Sequence, residues 1–201
     1  MFINPRMGKS ILLEEHVEIP EGVTVTIKSG HITVKGPKGT LKKKLPKAPV
    51  LYRESTNSKK KKSMKISMFL ANRKRQSCVV ALSKFILNMI KGVTVGFEYK
   101  LRYGFNILPA RPEAIEKGKA FSISNYMGQK DVHIIKCPEG VSVRNGEDPK
   151  MKEVYVSGID IQYVGQMASM ITQKCVPRNL DRRVFRDGIY IENRGTIEKE
   201  D

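Results

Sequence analysis

The sequence predicts an α+β fold made of two tandem copies of an antiparallel sheet packed on one face by a helix. Two observations predict it. First, Pro20-Glu21-Gly22-Val23-Thr24-Val25 and Pro138-Glu139-Gly140-Val141-Ser142-Val143 are the same phrase with one conservative difference. Second, each phrase is followed by a strand ending in glycine, Ile32 to Gly36 in one half and Val154 to Gly158 in the other. Each half then reaches an amphipathic helix, so the expected shared order is strand, strand, helix. The first half carries an extra strand pair ahead of its helix. The join falls near Lys91 to Gly96, which predicts an N-terminal repeat over 1–96 and a C-terminal repeat over 97–201.

The elements follow from local pattern. Met7-Gly8-Lys9-Ser10 reads as a second plausible start, with 1–6 as an upstream extension. From Val17 the pattern is β. Pro20-Glu21-Gly22 is a turn signal, and Val23 to Ile27 and His31 to Lys35 alternate as half-buried strands do. Gly36-Pro37-Lys38-Gly39 turns again, and Thr40 to Leu45 leads out. Val50 to Tyr52 and Met64 to Met68 predict two more strands around a loop holding Lys59 to Lys62. Asn72 to Ile90 predicts the first helix. Asn72 is placed as its N-cap. Cys78, Leu82, Phe85, Ile86 and Met89 form its apolar face, Ser83 lies on the polar side, and Gly92 is the stop.

In the second half, Phe97 to Tyr103 alternates aromatic with charged residues. Phe105 to Leu108, Phe121 to Ile123 and Val132 to Cys137 are further strand candidates, and Pro109 to Lys119 reads as a loop or hairpin tip. A second helix spans Ile159 or Ile161 through Val176, with Ile161, Val164, Ala168, Ile171 and Cys175 inward and Pro177 as its stop.

Charge says what the surface faces. Lys+Arg is 37 against Asp+Glu 20, a net charge of +17 in 201 residues, and the pI is near 9.9. Such an excess points to a polyanion, nucleic acid before an anionic membrane. No stretch reads as the run of about 18 apolar residues that a membrane span needs. Nor does the N-terminus carry the apolar region of a secretory signal. Cys78, Cys137 and Cys175 are far apart and form no Cys-x-x-Cys pair, which predicts three free, mostly buried thiols in a reducing cytosol.

Catalytic patterns are missing from the sequence. His16, His31 and His133 stand without a carboxylate or thiol at triad spacing, and there is no Walker loop, nucleophile elbow or His-Glu-x-x-His helix. Neither a metal nor a cofactor is expected, since no paired ligand spacing occurs. Cations instead gather in short runs. Arg73-Lys74-Arg75 opens the first helix, where the helix dipole favours anions. Lys38, Lys42 to Lys44 and Lys59 to Lys62 sit at turns and tips. Lys174, Arg178, Arg182, Arg183, Arg186 and Arg194 crowd the C-terminal end. There Asp187-Gly188 predicts a tight turn and Ile189 to Ile191 a short strand. Arginine's planar fork suits phosphate. The predicted site is therefore Lys174, Arg178, Arg182, Arg183, Arg186, Arg194, Arg73 and Lys74. No base-reading motif is visible, so recognition by RNA shape and backbone is expected.

The residues also resemble a known family. Asn72-Arg73-Lys74, then Asn88 to Phe97 with Tyr99-Lys100-Leu101, are similar to the central segment of the large-subunit ribosomal protein six family, number nine in the older eukaryotic count. Arg183, Phe185, Asp187-Gly188, Tyr190 and Arg194 resemble that family's eukaryotic and archaeal C-terminal pattern, and Val34 to Gly39 its first domain. The likeness spans about Ser10 to Thr196. Met68-Phe69-Leu70 depart from the aromatics usual before Asn-Arg-Lys. The resemblance implies a duplicated α+β unit that is not an enzyme. It implies a structural protein of the cytosolic large subunit that binds large-subunit rRNA near the sarcin–ricin stem and factor-binding region. Its expected partners are that rRNA and neighbouring ribosomal proteins, with no membrane and no small-molecule substrate. A free-standing RNA-binding or RNA-chaperone module outside the ribosome is the alternative.

Overall fold

The computed structural model describes residues 10–56, 62–104, 110–146, 152–177, 179–181 and 183–197. The chain divides into two compact units, Met1–Thr94 and Val95–Asp201. Both are α+β.

Six strands precede the helix of the first unit. They are β1 (Ser10–Glu18), β2 (Thr24–Lys28), β3 (His31–Gly36), β4 (Gly39–Lys44), β5 (Leu51–Thr56) and β6 (Lys62–Ala71), followed by α1 (Arg73–Thr94). They pair as two three-stranded antiparallel sheets, β1-β6-β5 and β2-β3-β4. Alternation explains the burial: Val25, Ile32 and Val34 are buried while Thr24, Thr26, His31 and Lys35 are exposed. Helix α1 packs against β1, β6, β3 and β4.

The second unit also lays down six strands before its helix. They are β7 (Phe97–Gly104), β8 (Arg111–Ile115), β9 (Ala120–Ser124), β10 (His133–Lys136), β11 (Val141–Asn145) and β12 (Glu153–Gly158). Then come α2 (Ile161–Lys174) and β13 (Gly188–Thr196). The sheets are β10-β9-β8 and β11-β12-β7-β13, all antiparallel. Their core gathers Leu101, Phe121, Ile123, Val156, Met167 and Ile171, all fully buried.

The repeated phrase is the same turn in both units. Val23 N–H donates to Pro20 O at 3.3 Å and Val141 N–H to Pro138 O at 3.2 Å. Gly22 and Gly140 have φ of 84° and 77°, a region open to glycine without strain. The strands leaving the two turns share a register: Val25 faces Val34, and Val143 faces Val156. Gly36 and Gly158 then occupy matching places, and each lets its helix come close. A Cβ on Gly36 would lie 2.6 Å from Val93 Cγ2, and one on Gly158 would lie 2.8 Å from Val164 Cγ2.

Pairing is repeated, but chain order is not. With β2 matched to β11 and β3 to β12, the pairings match β1 to β10, β6 to β9, β5 to β8 and β4 to β7. The second unit therefore runs through the first unit's strands in the order four, five, six, one, two, three. This corrects the expected common order of strand, strand and helix. From the first phrase to its helix there are five strands, β2 to β6, so three further strands follow β2 and β3 there and not an extra pair; in the second unit only β11 and β12 stand between the phrase and the helix.

Four local expectations also change. Helix α1 continues through Gly92, which is buried, to Thr94. Tertiary contact outweighs the glycine: Val93 packs beside Gly36, and its carbonyl accepts Lys38 N–H at 3.0 Å. The inward face of α1 holds Val79 and Ser83, whereas Cys78 is exposed and Phe85 only half-buried. In α2 it includes Met167, and Ile161 is half-buried. The segment read as a loop over Pro109 to Lys119 contains β8 and a 3-10 turn at Glu116–Gly118. The strand candidate Phe105 to Leu108 and Lys59 to Lys61 lie outside the described residues.

By length and composition Arg73–Thr94 could cross a membrane, so one stretch does reach that limit. Its buried Val79, Leu82, Ile86, Ile90 and Val93 lie within the first unit and make it a core helix.

The cysteines differ in exposure. Cys78 is exposed, Cys137 half-buried and Cys175 buried, and burial pushes the Cys175 thiol up to about 12. Because the thiolate is the nucleophile, a thiol reagent near pH 8 is expected to modify Cys78 rapidly and Cys175 only after unfolding. Mass spectrometry of a labelling time course checks this, and equal rates at the two sites would contradict it.

Candidate nucleic-acid interface

The C-terminal cations hang on the end of α2 and the segment that leads into β13. Asp160 caps α2, its carboxylate accepting Gln162 N–H at 3.0 Å. The helix ends on exposed Lys174, and Cys175 N–H donates to Ile171 O at 3.2 Å. Gly188 lets this end meet β13: a Cβ there would stand 2.9 Å from Cys175 O. Gly188 has no positive φ and starts the strand. Its role is close approach, not the tight turn that Asp187-Gly188 suggested.

The turn lies upstream, around Asp181. The Asp181 carboxylate accepts Arg183 N–H at 2.9 Å. Its carbonyl accepts Val184 N–H at 3.1 Å and Phe185 N–H at 2.9 Å. Arg186 Nε donates to Arg183 O at 3.0 Å. Two tyrosines then hold the backbone. Tyr190 Oη donates to Arg186 O at 2.8 Å, and Tyr126 Oη donates to Asp187 O at 3.1 Å. Asp187 is 1% exposed, whereas Arg183 and Arg186 are exposed. A turn whose carbonyls are tied down while its guanidinium-bearing residues face outward is organised before any anion arrives, so less ordering is lost on binding.

Sequence reasoning missed Asp181 and Tyr126. Asp181 stands two residues before Arg183 and could have been read as a local side-chain cap. Tyr126 lies 61 residues away from Asp187, in the 3-10 turn Tyr126–Gly128, and no local pattern points to it. Burial raises its phenol well above the usual range, and raises Tyr103 beside it to about 12 with the Asp187 charge acting in the same direction. Both rings stay neutral at neutral pH.

The predicted residues fall into three places. Lys174, Arg183 and Arg186 gather around the start of β13. Arg194 is exposed at the far end of that edge strand, opposite Tyr99, about 20 Å along it from Gly188. Arg73 and Lys74 are exposed in the first turn of α1, which has no acidic residue. Arg178 and Arg182 lie outside the described residues.

The outer face of β11-β12-β7-β13 is charged but neutralises itself. Arg144 pairs with Glu98 at 3.0 Å, Lys100 with Glu153 at 2.8 Å and with Glu192 at 3.1 Å, and Arg102 with Glu192 at 3.5 Å. Hydrogen bonds donated by Lys100 to Glu153 and Glu192 raise the Lys100 pKa, and the one Glu153 accepts lowers that of Glu153. Among the described residues no group of three or more His, Cys, Asp or Glu could hold a metal.

A doubled α+β framework with arginines on a pinned turn defines a class of basic, anion-facing binding proteins. Comparison narrows the class. The model of the family described as Ribosomal protein L6 matches residues 19–96 and 116–188, and the chain belongs to that family. It is 37% identical over 193 residues to large ribosomal subunit protein uL6A of Schizosaccharomyces pombe, covering 96% of this chain and 98% of that one. It is 38% identical over 192 residues to uL6 of Aeropyrum pernix, covering 95% and 100%. With uL6B of Saccharomyces cerevisiae it is 35% identical over 191 residues, covering 94% and 97%.

Proposed function

We propose that the chain is a structural constituent of the cytosolic large ribosomal subunit. It braces large-subunit rRNA near the sarcin–ricin stem and the factor-binding region, beside neighbouring ribosomal proteins. Its role is to position RNA and neutralise phosphate, not to catalyse a reaction. The family match over most of both units supports the ribosomal part of this reading. The observation that carries the RNA part is the pinned turn, with Arg183 and Arg186 turned outward above the buried Asp187. In this reading the first repeat ends near Gly96, and the C-terminal repeat carries the main rRNA contact.

Replacing Arg182, Arg183 and Arg186 together with alanine is expected to impair incorporation into the large subunit while leaving the fold of the isolated chain unchanged. Sucrose-gradient sedimentation after a high-salt wash, with circular dichroism of the free protein, checks both. Wild-type incorporation of the triple variant would refute the role of the turn. Release of the wild-type chain at moderate salt into a free pool would favour a module that works outside the ribosome.

A further inference from the structure

The first unit carries a second surface, on the outer face of β2-β3-β4. Registers place its side chains in three rows of three. One row is Thr24, Lys35 and Thr40; the next is Thr26, Thr33 and Lys42; the last is Lys28, His31 and Lys44. Eight of the nine are exposed, and Thr33 is half-buried. The face has four lysines, four threonines and a histidine, and no carboxylate, Phe, Tyr, Trp or aliphatic side chain stands at any of the nine positions.

The matching sheet of the second unit shows what such a face looks like when it serves itself. Lys42 and Lys44 correspond to Lys100 and Arg102, which are held by Glu153 and Glu192. Thr40 corresponds to Glu98, and His31 to Glu153. The first unit thus keeps two of the three paired cations of its twin, with Thr26 in the place of Arg144, adds Lys28 and Lys35, and replaces two of the balancing carboxylates with uncharged or basic groups. Neighbouring strands are about 4.8 Å apart and same-face residues about 6.8 Å apart along a strand. Lysines at those spacings repel, and an external polyanion removes the repulsion.

We infer that this face is a second binding surface, for the backbone of double-helical RNA. Its chemistry selects that partner. With the His31 imidazole as its single ring it offers no run of aromatic platforms for stacking successive unpaired bases, and without apolar side chains it has nothing to insert into a lipid surface. Lysines meet phosphate oxygens. Threonine hydroxyls donate and accept, which suits the 2′-hydroxyls displayed across the wide, shallow minor groove of A-form RNA. Binding here reads shape and backbone, and it is separate from the arginine turn of the second unit.

The test uses the full chain and fluorescence anisotropy with four probes: a fully paired RNA duplex, a DNA duplex of the same sequence, single-stranded RNA, and phosphatidylserine-containing vesicles. Salt runs from about 50 to about 200 mM, where the log–log slope counts phosphate contacts at about 0.9 each. Changing Lys28, Lys35, Lys42 and Lys44 to glutamine is expected to lower the RNA-duplex slope by about three to four if each meets a phosphate, and changing all four to arginine to preserve it. Thr26→Val with Thr33→Val is expected to weaken RNA-duplex binding several-fold with little change on DNA. Arg183→Ala with Arg186→Ala, made alone and together with the glutamine set, separates the two surfaces, because the slope losses add if both bind RNA. An unchanged slope in the glutamine variant overturns the inference whatever the arginine variant does. A loss confined to vesicles or to single-stranded RNA also overturns it, in favour of that partner.

Discussion

Replacing Phe121 with alanine is expected to destabilise the second unit by about 3–5 kcal/mol. Phe121 sits on the central strand β9, is fully buried, and belongs to the same core as Ile123, Tyr126 and Ile135. Truncation removes a whole ring from a core packed at crystal-like density, so the loss combines transfer and cavity terms. Hydrogen exchange on the full chain is the suitable measurement, because it reports each unit by itself. Amides of β7 and β12 should lose about two to three orders of magnitude in protection, since each 1.4 kcal/mol is tenfold. Amides of β3 should keep theirs. A uniform loss across both units would mean that they unfold as one.

The second large effect concerns the paired glycines. Gly36→Ala and Gly158→Ala are each expected to cost about 1–3 kcal/mol, since each added methyl meets a helix valine closer than 3 Å. Neither position needs a positive φ, so the cost comes from space and not from backbone conformation. The suppressors are specific. Val93→Ala should recover part of the loss at Gly36, and Val164→Ala part of the loss at Gly158. Recovery stays partial because Val93 O at 3.1 Å and Gly140 O at 3.0 Å remain in the way. Urea unfolding of the single and double variants gives the coupling energy directly. Simple additivity within either pair would show that close approach of helix and sheet is not the reason for the glycine.

What the sequence made legible was what neighbours along the chain decide. Alternation in Thr24 to Ile27 and in Phe97 to Tyr103 marks strands because one face is buried and the other wet. The turn at Pro-Glu-Gly is readable twice because proline and glycine each set a backbone angle. The arginines were readable as residues suited to phosphate. Distant contacts were not readable. Val79 replaces Cys78 on the inward face of α1 because that helix is aimed by the sheets it packs on. Gly92 fails to stop α1 because Val93 is held beside Gly36. The hydrogen bond from Tyr126 to Asp187 O joins segments with no local relation, so the rigidity of the arginine turn could not be seen from its own residues. The two units looked alike in order because a shared phrase and a helix are linear features, whereas the shifted order of strands is visible only in the pairing. Likewise, the lysines of β4 looked like a turn's tip until the register set Lys42 beside Thr33 and Lys44 beside His31.

The placement of β7 bears on how the chain comes off the ribosome that makes it. Everything the first unit pairs with has been synthesised by Thr94, so that unit can close while the rest is still being built. Strand β7 is different. It is the first strand of the second unit to emerge, yet its partners are β12 and β13, so Phe97, Tyr99, Leu101 and Tyr103 wait uncovered until Glu153 and the residues after it appear. The arginine turn comes later still, and its anchors, Tyr126 and Tyr190, stand on either side of it in the chain. An unfinished second unit therefore has aromatics in need of shelter and no organised arginine turn. The same topology that delays closure makes presentation of the turn a report that the chain is complete through β13.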